Sequence, residues 1–316
     1  MNLALNLARK HNGLTGSNPS VGCVITKNGK ILSTGITDYY GNPHAEFMAF
    51  SGNENFKGAE VYVTLEPCNH YGNTPPCTKN IINSGVSKVY IGVQDPDIRV
   101  NSSGIKALTE SNIKVETGIL ENKIKEFYKP YIKARTQNIP FVTIKTVCSL
   151  DSKIATHTGD SKWIDSSKSR LHTNFLRSRY NGILVGTNTF EKDAPKLTCR
   201  IEGLEQFSPI KFLYSNSIKH AENFEIVKGD ELEVLKQIYK MGVNHLLIEG
   251  GSKIISGFLE KDLVDEIILI QAPIFVGNTG KDAISIKGID FIKEAKNYKL
   301  KQSFIIDEVI LNILQK

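Results

Sequence analysis

Apolar residues follow two rhythms along the first part of the chain. Leu3, Leu7 and Ala8 recur at helical spacing and predict a helix over residues 3–10. Val21 to Ile25 and Lys30 to Thr34 then read as strands, and Asn28-Gly29 between them is a strong signal for a tight hairpin. Further on the pattern predicts a helix from Ala45, a strand over 60–65, a helix after Cys77, a strand over 87–93, a helix near 103–111 and a strand over 113–117. Strands separated by helices pair in parallel through crossovers, so a layered α/β architecture is expected, with the hairpin adding an antiparallel edge.

Residues 121–137 read as a charged helix that Pro140 brings to an end, because proline cannot continue a helix and restricts the residue before it. A second series begins there. It comprises strands over 141–147, 182–186, 210–214, 245–248, 266–270 and 304–313, with helices over 168–179, 231–240 and 253–259. Two domains are therefore expected, 1–138 and 139–316, both α/β and without a sequence repeat between them.

Composition narrows the class. With 316 residues, 40% of them hydrophobic and 23% charged, the chain can bury two ordinary cores, which excludes disorder and low-complexity readings. No apolar run approaches the roughly 18 residues of a membrane span. Arg9-Lys10 follow the first apolar residues, the reverse of a secretory leader, so a cytoplasmic chain with no membrane partner is expected. The net charge of +6 is spread without like-charge runs, which suits anionic small molecules as well as nucleic acid. Five scattered cysteines argue against a disulfide framework. Cys23 and Cys148, inside apolar strands, read as buried small hydrophobes.

The sharpest chemistry lies in Pro43-His44-Ala45-Glu46, followed by Glu66-Pro67-Cys68 and Pro75-Pro76-Cys77. One imidazole and two thiols are ligands that zinc prefers, and three protein ligands leave a position open for catalysis. Pro76 suits the first position of the following helix. On a regular helix Glu46 would point about 200° away from His44, making it a poor co-ligand but a candidate proton carrier. His70 is a nearby alternative ligand, and with it the zinc would be structural. His-x-Glu followed by Pro-Cys and a second cysteine is the zinc deaminase signature, although its usual Cys-x-x-Cys is widened here to eight intervening residues.

That long insert, together with Asn18-Pro19-Ser20-Val21-Gly22, Val63-Thr64-Leu65-Glu66-Pro67-Cys68 and Asp95-Pro96, resembles the pyrimidine deaminase half of the bifunctional riboflavin-biosynthesis deaminase/reductase family. The resemblance implies a cytidine-deaminase-like three-layer domain in which His44, Cys68 and Cys77 bind Zn2+ and Glu46 shuttles protons. The second half matches the same family in Lys145, Ser149-Leu150-Asp151, Gly159 to Ile164, Leu184 to Thr189, Leu197-Thr198, Arg200 and Glu249-Gly250-Gly251. Here the resemblance implies a dihydrofolate-reductase-like fold. It implies NADPH contacts at Val147, Trp163, Thr189, Asp193, Ser215, Gly251, Ser252, Lys253, Ile254, Ile255, Ser256 and Gly257. It implies substrate contacts at Lys145, Ser161, Arg177, Leu197, Arg200 and Glu249, with Arg177 and Arg200 suited to grip a phosphate.

The activity so implied is hydrolytic deamination of a phosphoribosylamino-pyrimidine, followed by NADPH-dependent reduction of its ribosyl chain to ribityl. The chain departs from the family pattern at Asn73 and Ser103, where basic residues are usual, and at Ser152 and Ala194. Arg99 is the nearest replacement cation in sequence. The competing readings are a nucleic-acid base editor, which no basic stripe with interleaved aromatics supports, and a binding module with structural zinc. The sequence leaves oligomeric state open, with a homo-oligomer among the options.

Overall fold

The computed structural model describes residues 1–72, 75–162, 164 and 166–316. The chain divides into two compact units, Met1–Asn138 and Ile139–Lys316. Among the described residues, no helix is long and apolar enough to cross a membrane.

The first unit runs α1 (Asn2–Lys10), β1 (Gly22–Lys27), β2 (Lys30–Ile36), α2 (Ala45–Phe50), β3 (Glu60–Leu65), α3 (Cys77–Asn83), β4 (Lys88–Val93), α4 (Ser103–Glu110), β5 (Lys114–Thr117), α5 (Glu121–Phe127) and α6 (Lys129–Gln137). Its sheet has the order β2-β1-β3-β4-β5. The strands β3, β4 and β5 are parallel, while β1 is antiparallel to both β2 and β3. The hairpin turns at Asn28 and Gly29, both with positive φ as a two-residue turn of this type demands. The helices cover the sheet around a core that includes Leu5, Ile25, Val63, Ile81, Ile91 and Leu108. Gly35 lets α2 lie directly on β2, since a Cβ there would sit 2.0 Å from the Ala45 carbonyl oxygen. The predicted single helix over 121–137 is two helices. The new start at Lys129 carries a proline in its first turn, where the missing N–H costs nothing. The second helix ends at Asn138 in the left-handed conformation.

The second unit runs β6 (Phe141–Ser149), β7 (Lys153–Ala155), α7 (Ser167–Arg177), β8 (Gly182–Gly186), α8 (Thr187–Asp193), β9 (Ile210–Tyr214), β10 (Glu225–Val227), α9 (Glu231–Lys240), β11 (His245–Ile248), α10 (Ser252–Glu260), β12 (Glu266–Ala272), β13 (Lys281–Asp282), β14 (Lys299–Ile306) and β15 (Val309–Gln315). Its large sheet has the order β10-β9-β8-β11-β6-β12-β15-β14. Strands β10 to β12 of that order are parallel, and β15 and β14 are antiparallel additions. Helix α9 opens with a capping box between Asp230 and Glu233. The predicted terminal strand over 304–313 is a hairpin, β14 and β15, that turns at Asp307 with φ 57°. Asp307-Glu308 interrupt the apolar run there, and this two-residue polar break, which the single-strand reading passed over, is the turn itself. The short elements β7, α8, β10 and β13 were also not predicted, being too brief for a periodic signal.

Candidate functional site

In the first unit the site forms where β3, α2 and α3 end or begin. His44 is the residue immediately before α2 and has extended backbone, φ −70° and ψ 158°. The 200° separation expected on a helix therefore does not apply, and His44 and Glu46 both line one cavity. Cys68 follows β3 by three residues, and Cys77 is the first residue of α3, with Pro76 just ahead of the helix rather than inside it. The cavity is about 310 Å³ and is bounded further by Asn18, Asn42, Glu66, His70, Asp95, Asp97, Arg99, Tyr131 and Arg135.

The ligand atoms of His44, Cys68 and Cys77 all lie within 4.8 Å of one another, the one such cluster among the described residues. His44 Nδ1 is 3.6 Å from Cys68 Sγ and 3.3 Å from Cys77 Sγ. Zinc bonds of about 2.3 Å to sulfur and 2.0 Å to nitrogen, arranged tetrahedrally, separate such ligands by roughly 3.5 Å, so the donor set fits. A hydrogen bond from Cys77, opposed by burial and aided by His44, holds the Cys68 thiol well below its ordinary pKa. The same hydrogen bond, with burial and Glu46, pushes Cys77 up. The Cys77 backbone N–H also donates to Cys68 Sγ at 3.4 Å. His70 lies outside this cluster, with its Nδ1 buried and without a hydrogen-bond partner among the described residues, and lines the cavity.

Glu46 is 4% exposed, and burial, reinforced by the Cys68 thiolate, pushes its carboxyl up to about 7. A carboxyl poised near neutrality can take up and return a proton. On the opposite wall, Asp97 accepts from Arg99 Nε at 2.9 Å and Nη2 at 2.5 Å, and Arg135 Nε lies 3.5 Å from Asp97 Oδ2. Arg99 thus lines the cavity with its fork closed on Asp97, which is held down to about 2 by that hydrogen bonding. Asp95 accepts from the Tyr131 hydroxyl at 2.9 Å, and burial pushes it up to about 6. The sequence reading missed Asp97, Tyr131 and Arg135. Asp95-Pro96 marked the loop, but nothing marked the charged helix α6 as a cavity wall. Asn73 lies outside the described residues, and Ser103 begins α4.

In the second unit several of the expected residues follow the carboxyl ends of parallel strands, where open α/β sheets bind ligands. Lys145 and Val147 are on β6, Glu249 follows β11, Ser215 follows β9, and α8, which follows β8, carries Thr189 and Asp193. Gly251 caps α10. Ser252, Lys253, Ile254, Ile255, Ser256 and Gly257 form the first turns of that helix. Ser161 and Arg200 are exposed, Leu197 is buried, and Trp163 lies outside the described residues.

Several of these side chains are already engaged. Arg177 donates from Nε and Nη2 to Glu249 at 3.0 and 2.9 Å and from Nη1 to the Thr198 carbonyl oxygen at 3.4 Å. Its fork meets a carboxylate of the protein itself. Burial alone would raise Glu249, but Lys145 and Arg177 outweigh it and hold the carboxyl below its usual range. Arg200 Nε donates to Asn174 at 3.3 Å. Ile255 is fully buried in the core, and Ser256 Oγ accepts the Ser285 N–H at 2.8 Å. Ser215 Oγ accepts from Ser217 and Ile218 N–H. Ser252 Oγ is buried without a partner at the start of α10. His172, on α7, was not anticipated; burial and Lys145 lower its pKa.

The comparisons agree with both units. Residues 1–93 match the cytidine and deoxycytidylate deaminase zinc-binding region, and residues 140–311 match the RibD C-terminal domain. The riboflavin biosynthesis protein RibD of Aquifex aeolicus is 36% identical, over 96% of this chain and 93% of that protein. The Escherichia coli protein of the same name is 30% identical over 95% and 94%. A crystal structure of a diaminohydroxyphosphoribosylaminopyrimidine deaminase/5-amino-6-(5-phosphoribosylamino)uracil reductase from Thermotoga maritima superposes with a TM-score of 0.90 at 32% identity, covering 100% of this chain and 97% of that one. Acinetobacter baumannii RibD gives 0.90 at 27% identity, over 99% and 97%. The fold classes are those of a deaminase and a RibD-type reductase, and the cofactors are zinc and NADPH. The chain belongs to the RibD family of riboflavin biosynthesis proteins.

Proposed function

We infer that the first unit, residues 1–138, deaminates a phosphoribosylamino-pyrimidine and that the second, 139–316, reduces the ribosyl chain of the product with NADPH. The observation that carries this reading is the buried Glu46 carboxyl sharing one cavity with His44 and Cys68, whose ligand atoms cluster with that of Cys77. The three ligands would hold zinc, which when bound would supply Lewis acidity for hydrolytic attack on the amino-bearing ring carbon. Glu46 accepts one proton of the attacking water and passes it to the ring nitrogen, then carries the remaining hydroxyl proton to the amino group, so that the C–N bond breaks, ammonia leaves and the carbonyl forms. Walls drawn from Asn18, Asn42 and Tyr131 orient the pyrimidine, and Arg99 and Arg135 give the cavity cations suited to the phosphate.

In the second unit NADPH would supply the hydride that forms the new C–H bond at ribose C1′ as the bond from C1′ to the ring oxygen breaks and that oxygen takes up a proton. Lys145, midway along β6, and Glu249, just past the end of β11, stand side by side, since Ile144 is in register with Ile248, and they orient the sugar hydroxyls. Arg177 sets the position of Glu249. Gly251 and the amides at the start of α10 suit a cofactor phosphate.

The chain works in the cytoplasm in this reading, which its five free cysteines support. It acts on a small molecule, with neither nucleic acid nor membrane as partner. Self-association is part of the reading too, supported by exposed Phe275, Phe291, Ile292 and Ile305 in the second unit. The test is turnover of the phosphorylated diaminopyrimidine by the zinc-loaded full chain. Ammonia release without NADPH, followed by NADPH oxidation once it is added, is expected. NADPH oxidation without prior ammonia release would reverse the assigned order.

A further inference from the structure

Glu66 sits between the last residue of β3 and Pro67-Cys68, and it is 3% exposed. Its carboxylate makes no ion pair with a basic side chain among the described residues. Four backbone N–H groups donate to it instead. Oε2 accepts from Asp95 at 3.2 Å and Ser102 at 3.2 Å, and Oε1 accepts from Gly104 at 3.1 Å and Ile105 at 3.3 Å. Gly104 and Ile105 belong to the first turn of α4, whose unpaired amides and dipole favour a negative charge. One carboxylate thus fastens both ends of residues 95–105, the segment that puts Asp97, Arg99 and Val100 into the deaminase cavity.

The fit around this clasp is tight. A Cβ on Gly104 would lie 2.1 Å from the Pro67 carbonyl oxygen, so α4 approaches the Cys68 segment as closely as a glycine permits. Ser102 enters the helix with φ 66°, a conformation that a non-glycine residue keeps only when its surroundings impose it. An ionised carboxylate offers acceptors alone, so all four contacts are satisfied at once, whereas an amide would turn one end into a donor facing donors.

We propose that Glu66 is a positioning residue for the deaminase reaction. It ties the substrate-facing wall of residues 95–105 to the strand end that carries Cys68. Its carboxylate oxygens are taken up by backbone amides, and its effect is on how firmly the pyrimidine substrate is held. The proposal rests on the deaminase reading above.

The test uses the zinc-loaded full chain carrying Glu66→Gln and, separately, Gly104→Ala, which pushes the same wall away while keeping the carboxylate. The unaltered chain must first release ammonia from the phosphorylated pyrimidine; if it does not, the deaminase reading itself fails. In both variants KM for deamination is expected to rise at least about tenfold, with kcat within about threefold, as for loss of uniform binding. Zinc content and NADPH-dependent reduction by the same chain should be retained. If Glu66→Gln is not recovered in soluble form, Gly104→Ala decides. An unchanged KM in a soluble variant overturns the proposal. So does zinc loss with a fall in kcat at constant KM, which would assign Glu66 to the metal centre.

Discussion

The two units solve their chemical problems with different materials. In the first, four side chains of fixed type gather at one small site: His44, Glu46 and Cys68 line the cavity, and Cys77 joins His44 and Cys68 in the ligand cluster. In the second, the expected residues are spread over the ends of β6, β8, β9 and β11 and the start of α10, and part of their capacity is spent within the protein. A metal site needs particular donor atoms at particular separations, so few residues carry it and each is indispensable. A cofactor and sugar site relies on backbone amides, strand ends and one buried ion pair, so its burden is shared.

The largest contrast should come from Cys68→Ala. Zinc content measured by atomic absorption should fall to background and deamination should disappear, while NADPH oxidation on the deaminated substrate continues. Loss of both activities would show that the units are not separable in function. Glu46→Gln sharpens the same side of the comparison: zinc should stay near one per chain while kcat falls by at least about 10². Metal loss in that variant would make Glu46 a ligand.

On the other side, Arg177→Ala leaves Glu249 buried with Lys145 as its remaining nearby cation. Removing one partner of a buried pair costs about 3 to 5 kcal/mol, and Lys145 should keep the loss near the lower figure. Thermal unfolding followed with reductase kinetics should show a lower Tm and weaker substrate binding, with zinc content and deamination intact. An unchanged Tm would mean that the Arg177–Glu249 pair is loosely held. Arg99→Ala should raise KM for deamination roughly tenfold without touching zinc, because it removes a cation and leaves Asp97 with less compensation at the cavity.

The smallest effect is a pH dependence of the second unit. Burial lowers His245 to about 3, and its ring accepts or donates to Thr143 Oγ1 at 2.9 Å between Tyr180 and Phe141. The unfolded chain takes up a proton at this histidine near pH 6.5 and the folded chain does not, so stability falls as the pH drops below that value. The slope is at most about 1.4 kcal/mol per pH unit. Denaturant titrations between pH 7 and 5 should show it, and His245→Phe should flatten it; an equal slope in the variant would place the acid sensitivity elsewhere.

The chain by itself determined the alternation of strands and helices, the hairpin at Asn28-Gly29 and the α/β class of both halves, because these depend on local periodicity and turn chemistry. It also determined which donor atoms could meet a metal, since His44, Cys68 and Cys77 are recognisable by type and flanking prolines. The helix start predicted at Ala45 already leaves His44 ahead of the helix, but tertiary structure decided that His44 and Glu46 line the same cavity, against the 200° separation of a regular helix. It decided that α6, legible only as charged helix, supplies Tyr131 and Arg135 to that cavity. It closed Arg99 on Asp97 and Arg177 on Glu249, and it gathered four amides from residues 95–105 onto Glu66. Such pairings join residues far apart in the chain or turn on backbone direction. Residue type and spacing carry no record of either, and only the packing of strands and helices brings the partners within reach.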